Sequence, residues 1–218
     1  MTRPRLLLAT GNQAKLVELT RILEAGQVDV ELVSLAEFPG APDVRETGAT
    51  FAENALLKAR AMVEFTGLPA VADDSGLCVD ALNGMPGVLS ARWSGQHGDD
   101  AANLWLVLGQ LADVPDERRG AHFACTAALV LPSGREHLTE GTVQGQLIRE
   151  PRGENGFGYD PIFVPDAAEL ARLSGLTGMP DAAGMTTAQL SPAAKDRISH
   201  RGKALRAMAP VIAATVAP

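Results

Sequence analysis

Two hydrophobic periods alternate along this chain. The run Leu6-Leu7-Leu8-Ala9 is unbroken and short, which predicts a buried strand over residues 5–9. It runs into Thr10-Gly11-Asn12-Gln13-Ala14-Lys15. From there Leu16, Leu19, Ile22 and Leu23 recur at helical spacing until Gly26 stops them. Alternating apolar positions predict a second strand over residues 28–35. A loop rich in Pro, Gly and Asp follows over 37–47. Thr50 and Glu53 have capping-box spacing and open a helix that reaches about Phe65. Its core stripe is Ala55, Ala59, Met62 and Val63, with Asn54 and Lys58 sharing the opposite face.

Residues 70–72 form another short apolar run. It ends in Asp73-Asp74-Ser75-Gly76, and a second short strand is expected over 77–82. Asn83-Gly84 and Pro86-Gly87 are turn dipeptides. A helix over 99–111 carries Leu104, Leu108 and Leu111, and Arg118-Arg119-Gly120 reads as a polar turn. Long strands over 121–131 and 137–148 pair as a hairpin through Pro132-Ser133-Gly134. Residues 166–185 read as a short helix and a loop. Ser191-Pro192 opens a helix with Lys195 one turn in, and Ser199 precedes a last helix with Leu205, Met208 and Ile212 on its apolar face.

Three places in this pattern suggest chemistry. Two adjacent acids at a strand end repel each other unless something offsets the charge. A hard cation such as Mg²⁺, with oxygen ligands and phosphate co-ligands, is the common remedy, and a solvated turn is the plain alternative. The strand–Gly turn–helix at 10–15 is a general anion recipe, because free N–H groups and the helix dipole point at the turn. Lys15 in the first helical turn opposes that dipole, a conflict a bound phosphate would repair. The turn lacks the spacing of a Walker A loop. The loop Pro151 through Pro161 places Gly153, Gly156 and Gly158 beside Phe157 and Tyr159. Such a loop can approach a ligand closely and stack a base, although ordinary surface loops share the composition. Glu46, just outside the helix, suits either a metal ligand or a loop acid.

Composition narrows the choice. At 218 residues the chain is expected to form one domain or two closely packed lobes, with no linker or repeat. A net charge of −7 disfavours a nucleic-acid coat but leaves room for a small phosphorylated ligand. Cys78 and Cys125 sit in apolar runs and read as reduced core residues of a cytoplasmic protein. No secretory signal is expected, and no apolar segment nears the ~20 residues of a membrane span. Of 19 basic residues only Lys15, Lys58, Lys195 and Lys203 are lysine. A compact ammonium on a flexible stem suits a phosphate oxygen in a tight site better than a planar fork.

Five blocks, taken in order, carry a resemblance: ATGNQAK, ETGATFAENALLKA, VADDSGLCVDALNGMPGVLSAR, GENGFGYDPIFVP and LSPAAKDRISHRGKA. From about Leu6 to the C-terminal helix the chain resembles the nucleoside-triphosphate pyrophosphatases that hydrolyse inosine, deoxyinosine and xanthosine triphosphates. The resemblance implies an α/β fold, an elongated mixed sheet with flanking helices in two lobes around a central cleft. It implies a homodimer and water attack at the α-phosphorus, which releases pyrophosphate. It casts Asp74 as catalytic base and metal ligand, Glu46 as second ligand to Mg²⁺, and Asp73 as support. Thr10, Gly11, Asn12, Gln13, Ala14, Lys15, Lys58 and Ser75 would line the triphosphate. Phe157, Gly158, Tyr159, Asp160, Lys195, His200 and Arg201 would hold base and sugar. No nucleic acid or membrane partner is implied. Residues 166–185 exceed the usual connection of such proteins. A pyrophosphatase for modified pyrimidine or standard triphosphates, and a nucleotide-binding module without turnover, remain open alternatives. A haloacid-type phosphatase would need D-x-D, which Asp73-Asp74-Ser75 does not supply.

Overall fold

The apolar runs become strands of one sheet. The computed structural model describes residues 3–173 and 183–216. Its six strands are β1 (Arg5–Leu8), β2 (Glu31–Ser34), β3 (Ala70–Val79), β4 (Gly120–Val130), β5 (Glu136–Leu147) and β6 (Phe163–Pro165). The helices are α1 (Gln13–Ala25), α2 (Phe51–Thr66), α3 (Asp100–Gln110), α4 (Ala167–Leu170), α5 (Pro192–Ile198) and α6 (His200–Thr215). Strand order is β2-β1-β3-β4-β5-β6. The sheet is mixed: β1 pairs parallel with β2 and β3, while β5 pairs antiparallel with β6. The chain divides into two compact units. One is Met1–Asp74, Cys125–Gly141 and Arg201–Pro218; the other is Ser75–Ala124 and Thr142–His200.

In the first unit, strand alternation sorts the side chains between two helical layers. Leu6, Leu8, Val71, Cys125, Ala127 and Leu129 pack with Leu19 and Leu23 of α1 and Leu205, Met208 and Ile212 of α6. On the other face, Ala72 and Ala128 meet Ala55 and Ala59 of α2, while Leu7 and Ala70 meet Met62. Thr50 caps α2, its hydroxyl accepting from the Glu53 N–H at 3.1 Å, and Gly67 ends it in the left-handed region. Strand β2 is shorter than the alternation predicts. Glu31 is the first residue in register, opposite Arg5, so Val28 has no partner strand to join and instead bonds back to Leu23.

In the second unit, Leu104, Val107 and Leu108 of α3 pack on Leu77, Val79, Phe123, Val143, Leu147 and Phe163. The turn after β4 is closed by Leu131 N–H to Arg135 C=O at 2.9 Å, as its composition predicts. Gly145 lets β5 approach β6, since a Cβ there would lie 2.3 Å from the Val164 carbonyl oxygen. Ser191 caps α5, with Pro192 first in the helix.

The polar-turn reading of residues 118–120 needs correction. Arg119 is 2% exposed and donates to the carbonyls of Leu111, Leu147 and Ile148. Charge alone suggested solvent, but a guanidinium with several donors can satisfy a cluster of orphan carbonyls. Of the long segment 166–185, α4 and a 3-10 turn at Ala171–Leu173 are as expected; residues 174–182 lie outside the described residues.

Candidate active site

The two aspartates do not end a strand. The sequence predicts a break at Asp73-Asp74-Ser75-Gly76, yet β3 runs unbroken from Ala70 to Val79. The acids therefore point to opposite faces of the sheet and need no shared cation to separate them. They stay in the strand because each face supplies its own partners.

Asp74 points to the α2 face. Asn54 Nδ2–H donates to its Oδ2 at 3.0 Å, and Lys58 Nζ reaches Oδ1 at 3.4 Å. The same ammonium donates to Glu46 Oε1 at 2.7 Å. Asn54 Oδ1 accepts from the Gly48 N–H at 2.7 Å, so one amide ties Asp74 to the loop that carries Glu46. A Cβ on Gly48 would lie 2.7 Å from that oxygen. Helix α2 places Asn54 and Lys58 at the edge of its buried face, with Asn54 wholly buried, so the opposite-face expectation is corrected. Burial pushes the Asp74 carboxyl above its ordinary range; Lys58 and Asn54 oppose this and Glu46 adds to it. Burial opposes the Lys58 charge, but Asp74 and Glu46 outweigh it and raise its pKa.

Asp73 points to the α1–α6 face. Lys15 Nζ donates to its Oδ2 at 2.7 Å. Lys15 stands in the first turn of α1, where Asn12 Oδ1 accepts its N–H at 3.4 Å and Thr10 Oγ1 accepts that of Asn12 at 3.2 Å. The conflict between Lys15 and the helix dipole is met here by a protein carboxylate. Arg201 Nε donates to Glu18 Oε2 at 2.8 Å, with a second bond from Nη2. Burial alone would raise the Asp73 carboxyl, but Lys15 and Arg201 hold it below the ordinary range. Gly11 and Asn12 are exposed, Gln13 and Ala14 open α1, and the side chains of those last two lie outside the described residues.

The remaining site residues belong to the second unit. Phe157 is 66% exposed. Tyr159 is buried, donating its hydroxyl to the Ser90 carbonyl at 2.8 Å, and burial raises its pKa. Asp160, also buried, holds the loop together. Its Oδ2 accepts from the Phe157 N–H at 2.8 Å and from Lys195 Nζ, and its Oδ1 from Thr187 at 2.8 Å. Lys195 Nζ lies 4.8 Å from the Phe157 ring centroid, a cation–π pair. Gly156 (φ +83°) fits because a Cβ there would lie 2.2 Å from Asp160 Oδ2. Asp100 accepts the Gly158 N–H at 2.8 Å. His200 stacks on Phe123, centroids 4.9 Å apart. Ser75 is half-buried in β3.

The whole span from residue 6 to 211 matches the Ham1 family. The chain belongs to the Ham1 family. A dITP/XTP pyrophosphatase of Nocardia farcinica is 57% identical over 98% of this chain and 97% of its own length. One from Streptomyces coelicolor is 55% identical over 95% and 96%. The crystal structure of the Mycobacterium abscessus dITP/XTP pyrophosphatase superposes with a TM-score of 0.75 at 55% identity, covering 95% of this chain and 99% of that one. A HAM1 protein from Coxiella burnetii superposes at 0.83 with 39% identity, covering 97% and 100%.

Within this Ham1 chain the structure adds residues that the sequence pattern passes over. Asn54 is visible in sequence only as a neighbour of Lys58, and Glu18, Asp100 and Thr187 carry no motif signal. Each is placed by its tertiary partner. Among the described residues no three His, Cys, Asp or Glu side chains form a metal-holding group. Glu46 and Asp74 converge as a pair on one ammonium. That arrangement, two carboxylates on a single cation, fits a hard divalent ion that completes its shell with water and phosphate.

Proposed function

We propose that this Ham1-family chain hydrolyses the non-standard purine nucleoside triphosphates ITP, dITP and XTP to nucleoside monophosphate and pyrophosphate, clearing them from the nucleotide pool. One observation carries the reading: Asp74, a buried strand carboxylate, is held by an amide and an ammonium that also engages Glu46. In this reading Asp74 takes the proton of the water that attacks the α-phosphorus. Asn54, with the divalent ion beside it, would stabilise the ionised carboxylate that a general base requires. Glu46 and Asp74 would hold Mg²⁺, which supplies charge neutralisation and alignment for an in-line displacement.

The α1 turn (Thr10, Gly11, Asn12, Gln13 and Ala14), Ser75 and the two lysines Lys15 and Lys58 would bind the phosphates. Phe157 would stack the base, on a loop shaped by Gly158, Tyr159 and Asp160. Lys195, His200 and Arg201 can supply donors. Donors favour the 6-oxygen of hypoxanthine or xanthine over the 6-amino group of adenine, which would leave two donors facing each other.

Pyrophosphate release from ITP, XTP, GTP and ATP, with Mg²⁺ and with chelator, tests this directly. Metal-dependent release from ITP and XTP far above ATP and GTP is expected; equal or absent release overturns the reading. The proposal includes a homodimer, checked by sedimentation equilibrium, and a cytoplasmic setting. Among the described residues no helix is long and apolar enough to cross a membrane.

A further inference from the structure

We propose that Lys58 is a stand-in cation: its ammonium holds Glu46 and Asp74 together, and it leaves them for the triphosphate when a divalent ion takes the pair. The inference rests on the metal role given above to these two carboxylates. Lys58 Nζ lies 2.7 Å from Glu46 Oε1 and 3.4 Å from Asp74 Oδ1, and its side chain is 18% exposed. It thus neutralises part of the charge that a divalent ion would neutralise. Two cations within reach of the same carboxylate oxygens repel strongly in a partly desolvated site. They therefore compete for the pair.

The second carboxylate oxygen of Asp74 is engaged by Asn54, and the Asn54 amide also fixes Gly48. Asp74 and the Glu46 loop thus have a support that does not depend on Lys58. The lysine stem is long and flexible, and its head is the movable partner. A phosphate oxygen offers the displaced ammonium a new anion. Lys58 therefore makes metal binding weak in the absence of phosphate and favourable with it, a coupling between two ligands through one side chain. Lys15 has no comparable part, since its carboxylate partner, Asp73, points to the opposite face of β3.

The test is Mn²⁺ alone, titrated into the full chain without nucleotide, with free ion read by electron paramagnetic resonance. Lys58→Gln and Lys58→Met are expected to bind Mn²⁺ about tenfold more tightly than the natural chain. The gain should vanish in Glu46→Gln/Lys58→Gln, and melting curves verify that each variant is folded. Affinity equal to or below that of the natural chain overturns the proposal, because a lysine that merely builds the site would lower affinity when removed.

A second measurement needs no variant. A short pulse of acetic anhydride, read by mass spectrometry, should label Lys58 several-fold faster with Mg²⁺ than without. Lys203 serves as the internal reference, and inorganic triphosphate should suppress the gain. Labelling indifferent to Mg²⁺ overturns the proposal. Lack of ITP hydrolysis would strike the functional reading and leave the ion titration interpretable. Hydrolysis with unchanged variant affinities would strike Lys58 alone. Absence of Mn²⁺ binding in every form would remove the metal pair and this inference with it.

Discussion

One residue of offset separates Asp73 from Asp74 and gives them different environments. Asp74 is expected to be indispensable: Asp74→Asn should cut ITP turnover by at least about 10²–10⁴-fold, the range for losing a general base. Its circular dichroism should stay native, because the change preserves shape. Near-normal turnover would remove Asp74 from the role proposed for it. Asp73 should matter to stability. Its carboxyl titrates below the ordinary value near 4, so folding favours the ionised form. That contribution is fully present above about pH 4 and is lost as pH falls through the depressed folded value. Asp73→Asn should lower stability at pH 7 by ~3 kcal/mol, having stranded Lys15, and should flatten the acid limb of a pH–denaturation series. An unchanged acid limb would assign that limb to other carboxylates. Arg201→Ala should reduce the ITP-to-ATP rate ratio more than it weakens triphosphate binding overall; an unchanged ratio would sink the base-reading role.

At the scale of elements, local chemistry was legible wherever a short-range rule governs. The Thr50 cap, the Ser191-Pro192 helix start and the turn after β4 all form as their residues predict. Short-range rules fail where a partner across space decides. Strand β3 continues through two acids because Lys15, Asn54 and Lys58 take up their charge and hydrogen-bonding capacity. Arg119 turns inward because three carbonyls await it. The loop ahead of Asp160 is a built element. Its φ of +83° at Gly156 and the contact with Asp160 leave no space for a side chain. Gly156→Ala should raise KM for ITP and cost about 1–3 kcal/mol of stability. Steady-state kinetics beside thermal melts check both, and an unchanged KM would detach this loop from base binding.

For the whole molecule, strands β3, β4 and β5 each contribute residues to both compact units. Neither unit is a continuous piece of chain, so neither can be cut out whole. Denaturant unfolding should accordingly be one transition. Trp93 and Trp105 both belong to the second unit, and their fluorescence should change together with far-UV circular dichroism, which reports on both units. Separated midpoints would show the units unfolding independently. By itself the sequence determined the strand–helix alternation, the anion-suited turn before α1, the glycine loop around Phe157 and the family, because these depend on local periodicity, backbone freedom and ordered motifs. Only the tertiary structure decided which face of β3 each acid serves, that Glu18 holds Arg201, that Asn54 supports Asp74, and that Tyr159 anchors its loop from within the core. Those outcomes depend on partners distant along the chain. The sum of burial and pairing that selects such partners exists only once the sheet and its helices have packed.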